Sequence, residues 1–177
     1  AIKRGIKTVI CSTIEDAKFI NESFGAIGLF DVIEHIENEQ TFLNSIKDIL
    51  YPGGKVYITV PAYSFLWSQQ DVYAGHFRRY SLKKIHHVLT SAGFKISFSS
   101  YIFRFLPIPI FFLRTIPFLL GKRRVKSESS KVRKDHMTHG GIIKNMTGKV
   151  LAMETDNLGK KKKMSIGGSC LVVATKD

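Results

Sequence analysis

The first hundred residues alternate between short apolar runs and stretches in which apolar side chains recur every three or four positions. Continuous apolar runs are typical of parallel strands covered on both faces, and the three-to-four spacing is typical of helices packed against a sheet. The pattern predicts strands at 8–12, 26–32, 55–60, 95–100 and 167–174. It predicts a helix at 38–50 that Asn38 caps, and a second helix that Ser81 begins and Gly93 ends. The chain is therefore predicted to be an α/β domain in which the strands at 26–32 and 55–60 are parallel neighbours joined by a right-handed crossover.

Polar side chains collect where the strand at 26–32 ends and in the long loop that follows the next strand. Glu34 and His35 close the first of these strands. Open α/β sheets place ligands beyond the carboxyl ends of their strands, so this edge is the predicted ligand-binding side. The loop at 63–80 carries a histidine and two arginines within 75–80, and loops of this length tend to be functional. We predict that this loop faces the ligand.

Residues 101–120 form the most apolar stretch of the chain and are followed by a basic run. The stretch is close to the roughly 20 residues that cross a bilayer as a helix. Three prolines and two arginines within it argue against a spanning helix, because each central arginine costs about 2.5–3.5 kcal/mol on insertion. Three interpretations stay open: a segment in the membrane interface whose basic neighbour reaches anionic head groups, a lid or dimer surface, and a true span.

The charge of the chain is unevenly distributed around a net value of +13. Residues 1–50 carry five basic and eight acidic side chains, a net −3, whereas residues 51–177 carry twenty-two and six, a net +16. The basic runs at 122–134 and 160–163 offer phosphate contacts, but aromatic residues are not interleaved with them, which argues against a nucleic-acid partner. Solvent or an anionic membrane surface is the expected neighbour of these runs.

The cysteines and the histidines at 136 and 139 indicate whether a disulfide or a metal site is expected. Cys11 and Cys170 lie in apolar, strand-like runs and are predicted to be buried, reduced thiols of a cytoplasmic protein. A peripheral position at the membrane stays open as the alternative location. His136 and His139 have no cysteine or acidic residue at ligand spacing, so no metal site is predicted.

Four short segments resemble, in their order and spacing, the class I S-adenosylmethionine-dependent methyltransferases. These segments are 30–36, 50–56 with 60–61, 75–81 and 91–94. The likeness is greatest to the type 11 branch, which includes methyltransferases of quinone biosynthesis, and it covers residues 1–100 and, more weakly, 165–174. The resemblance implies a Rossmann-like, three-layer αβα sandwich that binds S-adenosylmethionine. It also implies methyl transfer to an O, N or C nucleophile of a small-molecule or lipid-like acceptor.

The resemblance implies which side chains bind the cofactor. It places Ile14 and Glu15 at the adenine, and Phe30 and Asp31 beside the methionine portion. Two alternatives stay open from the residues alone. In these alternatives, Phe30 is a core aromatic at the end of a strand, and Glu15 is a solvated acid in a loop.

Methyl transfer is an in-line displacement that needs a general base only when the acceptor loses a proton. His35 and His76 are the predicted catalytic residues, because histidine titrates near neutral pH. The acceptor is predicted to contact three residues of the loop: Arg78, Arg79 and Tyr80. The arginines are expected to hold an anionic group by bidentate hydrogen bonds. In the alternative, His35 only orients its loop, and Asp71 pairs with the arginines as the hinge of a lid.

The family's glycine-rich loop and the acidic residue that closes its second strand have no counterpart in this chain. We therefore predict that the chain is the C-terminal part of a longer protein. It would contain part of the methyltransferase core at 1–100, an apolar and basic insertion at 101–150, and the final helix and strand of the core at 151–177. Without its neighbours in the sheet, the strand at 8–12 is expected to pair abnormally or to pack loosely. A non-catalytic remnant that docks to a membrane or partner, or an RNA-binding module, stays open as the alternative function.

Overall fold

The computed structural model describes residues 8, 10–121 and 142–177. Within these residues four strands form one sheet: β1 (Phe24–Phe30), β2 (Leu50–Pro61), β3 (Phe94–Ile102) and β4 (Ser169–Lys176). Their order across the sheet is β1-β2-β4-β3. β1 and β2 are parallel, whereas β4 is antiparallel to both of its neighbours. The predicted parallel pair and the two later strands are therefore confirmed, with bounds that differ by a few residues.

The helices flank these strands along the chain. They are α1 (Ile14–Ala17), α2 (Glu39–Ile49), α3 (Gln69–Ala74), α4 (Leu82–Ser91), α5 (Pro107–Ile110), α6 (Ile116–Leu119) and α7 (Ile142–Gly159). Two predicted caps are confirmed, because the side chain of Asn38 accepts the Thr41 N–H at 3.1 Å and that of Ser81 accepts the Lys84 N–H at 3.2 Å. Both capped helices, α2 and α4, begin where their sequence signals place them.

The core lies between the sheet and the helices α2 and α4. Leu43 and Ile46 of α2 and Ile85 and Leu89 of α4 are buried in one apolar cluster that also contains Ile58 of β2. The apolar stripe predicted along 38–50 is thus the buried face of α2. Burying a side chain of this size fully contributes about 1.5–3 kcal/mol, so these side chains stabilise the packing of the two helices on the sheet.

The Pro52-Gly53-Gly54 turn lies inside a strand rather than at the end of a helix. Helix α2 already ends at Ile49, and the turn lies inside β2 as a bulge. The pairing with β1 shifts there from Phe24↔Leu50 to Ala26↔Lys55. The turn needs glycine because Gly53 has φ +75°.

The strand predicted at 8–12 is absent from the described part of this segment, and that prediction is wrong. Ile10, Cys11 and Ser12 are exposed, whereas only Cys170 has the predicted burial. Burial raises the pKa of the Cys170 thiol to about 12. A strand needs a neighbour to satisfy its backbone groups, and within the described residues the segment has none. The exposure matches the expectation of loose packing.

The connection from Tyr63 to Tyr80 is more ordered than a loop. It contains a 3-10 turn at Ser64–Leu66 and helix α3. Tyr63 stacks on Tyr101 of β3, with ring centroids 5.0 Å apart. The short elements escape a periodicity search because each is only one or two turns long.

The apolar segment predicted to be a lid, an interfacial anchor or a span is helical after Pro107. Helix α5 continues through a π-helical turn at Phe111–Thr115 into α6. Phe111 contacts Phe65 at a centroid distance of 6.2 Å, which joins the segment to the connection after β2. No helix among the described residues is both long enough and apolar enough to cross a membrane. The basic run at 122–134, like the histidines at 136 and 139, lies outside the described residues.

Candidate active site

The site begins at Asp31, immediately after β1. The Asp31 N–H donates to the Thr59 carbonyl at 3.0 Å, and the Thr59 hydroxyl donates to the Asp31 carboxylate at 3.2 Å. Asp31 has φ +52°, in the left-handed region that non-glycine residues seldom adopt. Such strained residues cluster at functional sites, and this backbone conformation places an exposed carboxylate directly after β1, beside Thr59 near the end of β2.

Phe30 presents an aromatic ring on the outer strand beside Asp31. Its side chain is 63% exposed, so it is not part of the buried core. The ring lies over Gly28, where a Cβ would come within 2.7 Å of the ring carbon Cε2. Gly28 therefore leaves the space in which the ring lies against the strand. The result is an exposed apolar surface next to a carboxylate.

Ile14 and Glu15 lie in the one-turn helix α1 rather than in an open loop. Thr13 caps this turn by accepting the Asp16 N–H at 3.1 Å. Ile14 is half-buried and packs against the core, whereas Glu15 is exposed. Both side chains are thus placed by local structure, one anchored and one free in solvent.

Asp71 is the centre of a buried polar network in the connection after β2. Its carboxylate accepts from Arg79 Nε at 2.7 Å, from Arg79 Nη2 at 3.1 Å and from the Ser68 N–H at 2.8 Å. His76 Nδ1 lies 3.0 Å from Asp71 Oδ1. Burial alone would raise the pKa of Asp71, but the hydrogen bonds and charge of Arg79 outweigh it and lower the pKa. Because the ionised carboxylate only accepts, His76 Nδ1 carries the proton of the neutral ring, and Nε2 is left as an acceptor.

The three predicted acceptor-binding residues have protein partners. Arg79 is 7% exposed and also donates to the Ala62 carbonyl at 3.1 Å. Tyr80 is fully buried; its hydroxyl donates to Glu39, and burial raises its pKa. Arg78 pairs with Glu39 at 3.2 Å but stays partly exposed. For Arg79 this geometry favours the hinge alternative over direct contact with an acceptor, and Tyr80 is likewise engaged within the protein, by Glu39.

The two predicted catalytic histidines meet in space. The ring centroids of His35 and His76 are 4.6 Å apart in an edge-to-face arrangement. The Phe77 N–H donates to the Glu34 carbonyl at 2.8 Å and holds the two segments together. His35 is exposed and His76 is half-buried, so the pair lies at the surface of the network around Asp71.

Glu34 is a residue of this cluster that is not among the predicted site residues. It is 1% exposed, and within the described residues neither carboxylate oxygen has a hydrogen-bond partner. Burial raises its pKa to about 7. The signal that sequence reasoning lacked is the 3-10 turn at Ile33–His35, which turns Glu34 inward and leaves His35 in solvent.

A shallow depression of about 380 Å³ lies beside this network. It is lined by Ser64, Trp67, Phe77, Arg78, Arg79 and Lys84. Its cationic and aromatic lining suits a ligand that combines an anionic group with an apolar body.

Sequence comparison decides the family of this chain. The profile of a family described as "Methyltransferase domain" matches residues 7–97, which is half of the chain. The chain belongs to this methyltransferase domain family. The matched range includes the strand end at Asp31 and the segment that carries His76. A search of curated proteins found no significant match.

Solved structures similar to this methyltransferase domain agree with its fold. One is a SAM-dependent methyltransferase from Thermotoga maritima, titled a possible histamine N-methyltransferase, with 16% identity and a TM-score of 0.56 over 99% of this chain and 67% of that one. Another is a putative methyltransferase from Bacillus halodurans, with 14% identity and a TM-score of 0.53 over 99% and 74%. At these identities the likeness shows the fold alone, which is the predicted Rossmann-like methyltransferase fold.

A third similar structure shows how little the fold says about the reaction. The [4+2]-cyclase SpnF has 15% identity and a TM-score of 0.54 over 99% of this chain and 60% of its own length. Unrelated chemistries recur on one fold, so activity must be argued from the site. The chain also spans only 34% of a Haemonchus contortus phosphoethanolamine N-methyltransferase. The family prediction is confirmed, whereas the type 11 branch, the upstream segment and the division at 100 and 150 stay predictions.

Proposed function

We propose that the protein transfers a methyl group from S-adenosylmethionine to a small-molecule acceptor. The observation that carries this proposal is the exposed pair Phe30 and Asp31 at the carboxyl end of β1, next to β2 and inside the range that matches the family. S-adenosylmethionine has apolar parts that an aromatic ring can contact and an amino group from which a carboxylate can accept a hydrogen bond. The pair Phe30 and Asp31 offers both. Positioning the methyl group for in-line attack then supplies much of the acceleration.

The remaining predicted cofactor residues take the adenine in this proposal. Ile14 packs against the core and offers an anchored apolar side chain, while Glu15 is free to accept from an amine. These roles follow the family resemblance, and the local geometry of α1 is compatible with them.

The acceptor is proposed to bind in the depression beside Arg78. Arg78 and Lys84 present positive charge there, and Phe77, which is 52% exposed, presents an apolar face. His76 is the proposed base for an acceptor that must lose a proton, because Asp71 fixes its Nδ1 proton and leaves Nε2 free to accept. Arg79 and Tyr80 are then positioning residues that hold this loop.

Cofactor binding by the full-length gene product tests the proposal. We expect calorimetry to give micromolar binding of S-adenosylmethionine and Asp31→Asn to weaken it at least tenfold, because a charge-assisted hydrogen bond contributes about 1.5–3 kcal/mol. Asparagine tolerates the left-handed backbone of Asp31, so the variant keeps the turn. Asp48→Asn, at an exposed position in α2, is the matched control and should bind as the wild type does. Absence of binding by the wild type would instead favour the non-catalytic docking alternative.

We also propose that the acceptor is lipid-like and is met at an anionic membrane surface. The segment 103–120 exposes large apolar side chains, among them Ile108 at 66%, Phe112 at 60% and Leu113 at 66%. The residues that follow it include the basic run at 122–134. An apolar face next to lysines and arginines is the composition of interfacial binding segments, each basic residue contributing about 1 kcal/mol near an anionic surface.

Flotation with vesicles tests the membrane proposal. The protein should float with vesicles rich in phosphatidylserine and stay at the bottom with phosphatidylcholine alone, since both the apolar and the charge terms are needed. Phe112→Ser with Leu113→Ser should abolish flotation. The control pair Ile20→Ser and Tyr51→Ser, which are 80% and 50% exposed elsewhere, should leave it unchanged. Equal flotation with both vesicle types, or none with either, contradicts the proposal.

A further inference from the structure

Three side chains from two separate segments converge next to the Asp71 network. Potential ligand atoms of Glu34, His35 and His76 all lie within 4.8 Å of one another. Glu34 and His35 belong to the 3-10 turn after β1, and His76 follows α3, where its N–H donates to the Asp71 carbonyl at 2.9 Å. Two ligands of a tetrahedral ion lie about 3.3 Å apart, so side-chain rotations that move these atoms by about 1.5 Å or less would bring the three atoms into range.

The buried carboxylate of Glu34 independently points to a bound ligand. Buried polar atoms are almost always hydrogen-bonded, yet both Glu34 oxygens lack a partner within the described residues. The neighbouring charged residues do not supply the missing hydrogen-bond donor. Arg79 is already committed to Asp71 by two hydrogen bonds, and Asp31 is an acid itself. A cation placed between the carboxylate and the imidazoles would satisfy the orphaned oxygens.

Asp71 prepares His76 for coordination. Histidine ligands commonly donate their second ring N–H to a carboxylate, which fixes the tautomer and raises the basicity of the coordinating nitrogen. His76 Nδ1 lies 3.0 Å from Asp71, whose own position is fixed by Arg79 and Ser68. The nitrogen left for a ligand is Nε2, and the exposed His35 provides a route of entry from solvent.

We propose that Glu34, His35 and His76 bind a divalent transition-metal ion of the zinc type. Two imidazole nitrogens with one carboxylate favour such an ion over calcium or magnesium, which prefer oxygen ligands. Three protein ligands leave at least one coordination position open. The site does not depend on cofactor binding, but it uses the same His76 Nε2 that the methyl-transfer proposal assigns as a base, so an ion bound there would block that role.

The test uses Zn²⁺ itself and the full-length gene product, stripped with a chelator and without S-adenosylmethionine. Calorimetry and metal analysis after dialysis should give one ion per chain at this site, and saturating Zn²⁺ should raise the melting temperature by about 5–10 °C. Glu34→Gln and His35→Ala should each weaken binding at least about 100-fold and remove this shift. Both variants are expected to fold, because one exchanges a buried carboxylate that has no hydrogen-bond partner among the described residues for an amide of similar size, and the other alters an exposed side chain.

Glu37→Gln and His87→Ala are the matched controls, since each changes the same residue type at an exposed position outside the cluster. They should bind Zn²⁺ as the wild type does. The proposal is overturned if the wild type binds no Zn²⁺, or if Glu34→Gln and His35→Ala bind it as tightly as the wild type. Because Zn²⁺ and S-adenosylmethionine are titrated separately, loss of one binding signal with retention of the other identifies which proposal has failed.

Discussion

Asp71→Asn is expected to lower the free energy of unfolding by about 3–5 kcal/mol, the loss seen when one partner of a buried ion pair is removed. Asp71 and Arg79 are only 1% and 7% exposed, and two of the hydrogen bonds to the carboxylate come from the Arg79 guanidinium. Asparagine has a single acceptor oxygen, and its amide group would face donors of Arg79 or Ser68. The variant therefore leaves the Arg79 charge buried without compensation.

Equilibrium unfolding in urea measures this loss. Asp156→Asn provides the matched control, because Asp156 also accepts from a basic side chain, Lys160, but both members of that pair are more than 60% exposed. Exposed pairs four residues apart on a helix contribute about 0.3–0.5 kcal/mol, so the control should be nearly neutral. A loss below about 1 kcal/mol for Asp71→Asn would show that the network does not hold the loop at 63–80 in place.

Local signals made helices α2 and α4 and most strands predictable. Asn38, Ser81 and Gly93 act through their immediate neighbours, since a cap or a left-handed C-terminal residue needs only the adjacent turn. The parallel pair was predictable for a similar reason, because the intervening helix is encoded between the two strands. The segment at 8–12 was not, because an apolar run becomes a strand only when a neighbouring strand pairs with it.

In the candidate site too, some features follow from the local sequence and others depend on contacts between distant segments. The position of Asp31 at a strand end follows from the local pattern, and the structure leaves its side chain exposed. The environments of Arg79 and Tyr80 depend on Asp71 and Glu39, which are eight and forty-one residues away. The meeting of Glu34 with His76 also depends on tertiary structure, because His76 lies in a separate segment that the chain reaches only after β2. Sequence reasoning therefore found the side chains of this loop but could not distinguish those that face solvent from those that hold the loop.

Gly167→Ala is expected to destabilise the protein by about 3 kcal/mol, the upper part of the usual range for overpacking. A Cβ on Gly167 would overlap the backbone of Ile102, with the Ile102 N and carbonyl carbon both at 2.7 Å and the carbonyl oxygen closer still. Backbone atoms cannot rotate away as a side chain can. The end of β3 or the start of β4 would have to move, and with it the Ala62 N–H bond to the Gly168 carbonyl at 2.9 Å.

The same substitution at Gly148 should have the opposite effect on stability. Gly148 lies inside helix α7, and a Cβ added there would meet no atom within 4 Å, so alanine should stabilise the protein by about 0.5–1 kcal/mol through helix propensity alone. Thermal melting of both variants separates close backbone approach from any general effect of replacing glycine. A melting temperature of Gly167→Ala at or above that of the wild type would contradict this close approach between the end of β3 and the start of β4. A loss of stability for Gly167→Ala together with a gain for Gly148→Ala means that packing requires glycine at position 167. The strand ends flanking the candidate site are then held at a fixed distance.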